Sequence, residues 1–314
     1  MTTTPAPTTT PAQATIPNPA TTSRSVPADG PGAYVVLGAT GKSGRRVADR
    51  LDALGLPVRR TSRGAGPGTT RFDWEDQATW APALAGAEAV YVAYAPDLAV
   101  PGAPETVTRL AEVARAAGVR RLVLLSGRGE TEAQRAEAMV ARAFPARTVV
   151  RCAFFAQNFS ESFLLNAVHD GVVALPVDQV AEPFVDLEDV ADVAVAALTD
   201  DAHAGQVHEL TGPRLMTFAD AVAEIAAASG RPVAYVPISN GEFTAALRAE
   251  GVPDDAVALL DYLFTEVLDG RGAHVTDDVR RVLGRAPRDV GEFARREAAA
   301  WSVTTVAPGT AGRS

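Results

Sequence analysis

The segment Gly38-Ala39-Thr40-Gly41-Lys42-Ser43-Gly44 constrains this chain more than any other stretch. It follows AYVVLG (33–38), a short apolar run that reads as a buried strand. It opens KSGRRVADRLDALG (42–55), where Val47, Leu51 and Leu54 fall on one helical face and Gly55 marks the stop. A glycine pattern alone says little; between a buried strand and an amphipathic helix it marks the first crossover of a parallel α/β sheet. In that setting Gly38 permits a tight turn, Gly41 lets the backbone approach a diphosphate, and Gly44 lets helix pack close on strand. Free N–H groups and the dipole at the helix start favour phosphate there. Gly41-Lys42-Ser43 also resembles the end of a Walker A loop, but that motif needs a glycine where Val36 stands inside the strand. A turn that binds nothing is the remaining alternative, and three glycines carry a helix cost such a turn would avoid.

The alternation continues along the chain. LPVRRTS and TRFDW predict a second strand and a short third, 77–86 a brief helix, and AEAVYVAYA (87–95) a fourth strand. A helix over 106–118 leads to VRRLVLLSG (119–127), and one over 131–143 leads to ARTVVRC (146–152). Such spacing predicts βαβ units and a doubly wound parallel sheet, an α/β Rossmann fold. Beyond Cys152 the pattern loosens into a strand near 205–212, a helix over 217–230, PVAYVPIS (232–239) and a largely helical remainder from 240 to 301. The expected organisation is a disordered Thr/Pro/Ala-rich tail over 1–31 and a Rossmann core over 32–152. A smaller C-terminal substrate-side lobe with interleaved returning elements follows over 153–301, then a flexible tail over 302–314.

Composition removes several function classes. A net charge of -9 argues against direct nucleic-acid binding, which needs a basic excess; it leaves room for a protein partner. The single cysteine, Cys152, forms no intrachain disulfide, and His169, His203, His208 and His274 show no ligand spacing, so no metal site is expected. His203 and His208 read as surface or packing residues. The chain lacks a signal-peptide pattern and a long apolar run, so the expectation is a cytoplasmic protein with no membrane association. Nothing in the sequence speaks to oligomeric state.

The choice of dinucleotide turns on the second strand. NAD binders place an acid about 20 residues after the loop to hold the ribose hydroxyls. No acid occurs between Asp52 and Asp73, whereas Arg59, Arg60, Ser62 and Arg63 cluster there, and arginine suits a 2′-phosphate. Arginine is common in this chain, with Lys42 the sole lysine, so the missing acid carries more weight. NADP(H) is preferred and NAD(H) stays open.

The stretches VVLGATGKSGRRVADRL, RFDWED, LVLLSG, RCAFFAQNF, PFVDLEDVADVAVAAL, ELTGP and GEFARREAAAW resemble the NmrA-like branch of the atypical short-chain dehydrogenases, from about 33 to 301. Within it the chain is similar to ergot-alkaloid dehydrogenases and NADPH:quinone reductases. The resemblance implies cofactor contacts from Thr40, Gly41, Lys42, Ser43 and Gly44, and from Arg63 near the adenosine phosphate. It places Asp73 and Trp74 at the adenine side, Tyr94, Ala95 and Pro96 beside the nicotinamide, and Ser126 nearby. It implies a substrate pocket lined by Phe154, Phe155 and Asn158; core packing is the alternative for these aromatics and the preferred reading for Phe159 and Phe163.

One element of the wider superfamily is missing. Ketone-reducing short-chain dehydrogenases use a Tyr-x-x-x-Lys pair, in which lysine lowers the tyrosine pKa. Here the only lysine sits in the glycine loop, and Arg135-Ala136-Glu137-Ala138-Met139 stands where the tyrosine is expected. Without a strong general acid, the expected small-molecule substrates are already activated: an iminium, a quinone or an enone. Tyr94 and Glu137 are the remaining proton-donor candidates, each with a structural or cofactor-supporting role as the alternative. The sequence therefore predicts an NADPH-dependent oxidoreductase, with a non-catalytic NAD(P)-sensing regulator of the NmrA type as the alternative.

Overall fold

The computed structural model describes Met1, residues 32–64 and residues 66–302. Apart from Met1 and Ser302, the expected tails over 1–31 and 302–314 lie outside the described residues. Among the described residues eleven strands run in chain order: β1 (Ala33–Val36), β2 (Val58–Ser62), β3 (Thr69–Arg71), β4 (Ala87–Val92), β5 (Arg121–Gly127), β6 (Arg147–Cys152), β7 (Val172–Leu175), β8 (Ala181–Glu182), β9 (Val207–Leu210), β10 (Met216–Thr217) and β11 (Ala234–Pro237). The first six helices are α1 (Lys42–Ala53), α2 (Trp80–Leu84), α3 (Ala103–Ala116), α4 (Thr131–Ala143), α5 (Asn158–Glu161) and α6 (Leu164–Asp170). The rest are α7 (Leu187–Thr199), α8 (Phe218–Ser229), α9 (Asn240–Ala249), α10 (Asp254–Tyr262), α11 (Asp278–Leu283) and α12 (Val290–Glu297).

Seven strands form one parallel sheet in the order β3-β2-β1-β4-β5-β6-β9. The order reverses at β1, which lies between β2 and β4, so successive crossovers leave in opposite directions there. In open sheets of this kind a crevice opens at the carboxyl ends of the strands at that reversal, and ligands bind in it. The glycine loop follows β1 at this place.

Both faces of the sheet are covered, and β4 shows how. Ala89 and Tyr91 point into a core shared with α1 and α7, through Val47, Leu51, Val190, Ala194 and Leu198. Val90 and Val92 point into the opposite core, with Trp80, Leu84, Leu110, Ala114 and Val140 from α2, α3 and α4. A third cluster, centred on Phe159, Phe184, Phe218, Phe264 and Trp301, holds the C-terminal elements together. There β8 pairs antiparallel with β10, and β7 pairs parallel with β11. Trp301 is fully buried and donates Nε1–H to the Phe159 carbonyl at 2.8 Å.

The loose region expected beyond Cys152 contains a long element, α7. Thirteen residues, nine of them buried, return over the sheet and pack along α1. Ion pairs bind the two helices: Arg46 and Arg50 reach Glu188, and Arg50 reaches Asp192 at 2.6 Å. Among the described residues no helix is long and apolar enough to cross a membrane.

Candidate active site

The glycine loop is built as a cradle. Gly38 has φ +74°, the left-handed region that an L side chain rarely adopts, and its carbonyl accepts the Gly41 N–H at 2.9 Å. A Cβ on Gly44 would lie 2.7 Å from the Gly38 carbonyl carbon and closer still to its oxygen, so only glycine lets α1 start this near β1. Gly41 is the helix N-cap, makes no side-chain cap, and no acid stands in the first turn of α1. The first-turn N–H groups and the dipole are therefore offered outward at the sheet's carboxyl edge. An exposed Thr40 and Gly41 complete a surface that fits a dinucleotide diphosphate.

At the second strand only part of the arginine cluster is available. Arg59 donates to the Ala83 and Ala85 carbonyls at 2.8 and 2.7 Å, and Arg60 pairs with Asp49 and Asp52 on α1. Arg63 is exposed and makes no ion pair or hydrogen bond among the described residues. Ser62 is tied into its own turn through Gly64 and Thr69. Asp73 caps a turn by accepting the Glu75 N–H, and its carbonyl receives the Trp80 indole N–H at 2.7 Å. Trp74 stacks edge-on against Phe72 and lies 4.8 Å from the Tyr94 ring, so adenine-side and nicotinamide-side candidates share one aromatic wall.

A cavity of about 370 Å³ lies beyond this wall. It brings together Lys42, Tyr94, Pro96, Ser126, Phe154, Phe155 and Asn158, candidates spread over 117 positions of sequence. Gly38, Thr40, Gly41, Ser43, Gly44, Arg63, Asp73, Trp74 and Ala95 do not line it; they belong to the glycine loop, the start of α1 and the segments after β2, β3 and β4. Lys42 Nζ donates to Asn158 Oδ1 at 2.6 Å, joining the glycine loop directly to the start of α5. Burial lowers the Lys42 pKa, aided by Arg45 and Arg46 and opposed by Glu161. Phe159 is fully buried as core, but Phe163 corrects the packing expectation: it is exposed and lines the cavity.

Glu137 does not line this space. Its carboxylate accepts the Ser126 hydroxyl at 2.6 Å and pairs with Arg151 at 2.5 Å, and Arg151 also reaches Glu209. The array supports the ends of β5 and β6, which leaves Glu137 turned away from any substrate in the cavity. Three other carboxyls do line it: Asp97, half-buried, and Glu130 and Glu182, both buried. Burial, then the neighbouring Asp97 and Glu137, push Glu130 up to about 9. Burial pushes Glu182 up to about 7, opposed by the Phe154 N–H and by Arg128. Arg128 in turn holds the segment after α10 through the Gly272 and His274 carbonyls and pairs with Glu209 at 2.7 Å.

Sequence reasoning missed these acids because the cavity gathers them from distant places. One local signal existed. Glu130 stands at the N-cap of α4 without capping it, a position where Ser, Thr, Asp or Asn normally serves the helix. A π-helical turn over Leu263–Val267, also on the cavity wall, was equally hidden; such turns cluster at functional sites.

Comparison with known proteins agrees with this geometry. A family model described as NAD(P)H-binding matches residues 38–151, from the first loop glycine into β6. The uncharacterised oxidoreductase YesF of Bacillus subtilis is 34% identical over 85% of this chain and 96% of its own. The NAD(P)H azoreductase of Xenophilus azovorans is 30% identical over 85% and 98%. Among solved structures, the NADPH complex of the Escherichia coli NADPH-dependent quinone oxidoreductase QOR2 superposes with TM-score 0.70 at 23% identity, covering 84% of this chain and 98% of that one. The chain belongs to the same family as YesF and the azoreductase, a family of NAD(P)H-binding oxidoreductases.

Proposed function

We propose that this protein is an NADPH-dependent reductase that adds hydride to a small activated acceptor of the iminium, quinone or enone type. One observation carries the reading: a single cavity touches Lys42, Tyr94 and Ser126 on the cofactor side and Phe154, Phe155 and Asn158 on the other. Residues 32–152 would hold the cofactor and 153–301 would supply the substrate side. A reduced nicotinamide dinucleotide, when bound, supplies the hydride. The backbone from Gly41 to Gly44 would take its diphosphate, and Arg63 its adenosine phosphate. The volume suits a ligand of a few fused or conjugated rings, and aromatic walls favour flat acceptors. Relatives acting on azo compounds and quinones support conjugated acceptors.

The missing Tyr-Lys pair favours the second reading, a cofactor-sensing regulator. The aromatic-lined cavity beside the loop favours the reductase. Mixing the protein with NADPH and a panel of quinones, enones and cyclic iminium ions, while following nicotinamide absorbance, separates the two. Turnover of a panel member supports the reductase; cofactor binding without oxidation across the whole panel supports the regulator.

A further inference from the structure

Glu130 has the placement of a working group. It is 6% exposed, lines the cavity, and folds back over Gly127 at the end of β5, where any Cβ would strike its carboxyl. Glycine at 127 thus leaves the space this side chain occupies. No protein N–H or O–H reaches Glu130 Oε2. The group set against it is the Asp97 carboxyl, which also lines the cavity and already accepts the Ala99 N–H at 2.8 Å. With Oε2 unpartnered, burial around it and a second carboxyl nearby, the Glu130 carboxyl favours its protonated form.

We propose that Glu130 is the general acid of this reductase, giving its carboxylic proton to the heteroatom of a neutral acceptor as hydride reaches the electrophilic carbon. The assignment rests on the reductase function proposed above and names its substrate class as acceptors that gain both hydride and proton: enones, quinones and related conjugated systems. In the step, a bond forms between hydride and carbon, and the π pair of the acceptor moves onto its heteroatom. The Glu130 O–H bond breaks as the heteroatom–H bond forms. Glu130 is left as a carboxylate beside Asp97 and takes a proton back from water; the reduced nicotinamide is the electron donor. Glu130 would fill the role left open by the absent tyrosine.

The groups facing Glu130 are Asp97 after β4, Glu137 on α4, Cys152 on β6 and Tyr262 on α10. None is a cation, so nothing in contact stabilises the carboxylate. Its raised pKa, about 9, keeps the acid form through neutral pH.

The test uses the full-length protein and its Glu130→Gln variant, with two readouts. Infrared difference spectra should show a protonated carboxyl band at pH 7.5 in the wild type, lost as pH passes about 9 and missing from E130Q. With NADPH, E130Q should lower the enone-to-iminium rate ratio by at least about 100-fold, since an iminium needs no proton. The alkaline fall in wild-type enone reduction should disappear in the variant. Absence of the band at pH 7.5, or equal losses on both acceptors, overturns the assignment. A wild type that carries the band yet reduces no acceptor instead sinks the reductase function, and the donor role with it.

Discussion

Replacing Gly44 by alanine tests the phosphate cradle at its tightest point. The added methyl would stand 2.7 Å from the Gly38 carbonyl carbon and 3.1 Å from Ala39 Cα. Favourable carbon contacts begin near ~3.5 Å, so the start of α1 must retreat by close to ~1 Å. Helix propensity alone would make alanine better than glycine by about 1 kcal/mol. Overpacking against backbone costs about 1–3 kcal/mol and cannot be relieved by a rotamer change. Against backbone that cannot move aside the strain should win, with the folded state weaker by up to about 2 kcal/mol. A shift of the first turn also moves the N–H groups that would hold the diphosphate, and NADPH affinity should fall at least ~10-fold, or about 1.4 kcal/mol. Chemical denaturation and isothermal titration calorimetry measure the two effects. Gly41→Ala is the control: its Cβ would meet the Gly38 oxygen at 3.2 Å, a shortfall of a few tenths of an ångström, so its stability should stay close to wild type. If G44A unfolds at the wild-type midpoint or later and binds NADPH as tightly, the close approach does not matter and the reasoning is wrong.

Arg63→Ala should weaken NADPH about 10-fold and NADH less than about twofold in fluorescence titrations, because the exposed guanidinium can pair only with the extra phosphate; equal losses would show the phosphate lies elsewhere. Trp301→Ala should destabilise by about 3–5 kcal/mol in urea melts, since it empties a fully buried site and abandons the Phe159 carbonyl. Two groups should carry acid sensitivity in separate pH windows. Burial, His203 and Arg281 hold His208 down to about 4, so its contribution is complete above its ordinary 6.5 and lost as pH falls toward 4. Burial opposes but Arg50 and Arg46 hold Glu188 at about 2, so its contribution is complete above 4.5 and lost as pH falls through 2. Because the raised carboxyls Glu130 and Glu182 shift stability the other way over the same range, the readout is the difference between wild type and His208→Gln; a difference in urea midpoint that stays constant from pH 6.5 to 4 would contradict the His208 contribution.

The cofactor loop was legible because seven consecutive residues carry it, and its chemistry is local: a strand end, a turn and a helix start. Elements of the sheet followed from periodicity, with shifts that have simple causes. Helix α3 starts at Ala103 and not at 106, because Pro104 fits the first turn, where no N–H is needed. Helix α7 escaped notice because its polar face is narrow: Glu188, Asp192 and Thr199 stand against nine buried positions, with Val190, Ala191, Val193, Ala194, Ala197 and Leu198 packed between the sheet, α1 and α11. Two expected phosphate arginines, Arg59 and Arg60, are taken by local carbonyl and carboxylate partners that only the folded chain supplies. The cavity acids were the least legible. Glu130, Glu182 and Asp97 meet because β5, β8 and the turn after β4 converge, and spacing in sequence encodes none of that.

Calorimetric titration of the wild-type protein with NADPH bears most directly on the cradle at the start of α1. The expected result is saturable one-to-one binding with micromolar or tighter affinity, weakened in G44A. No heat and no competition with either reduced or oxidised pyridine nucleotide would contradict it.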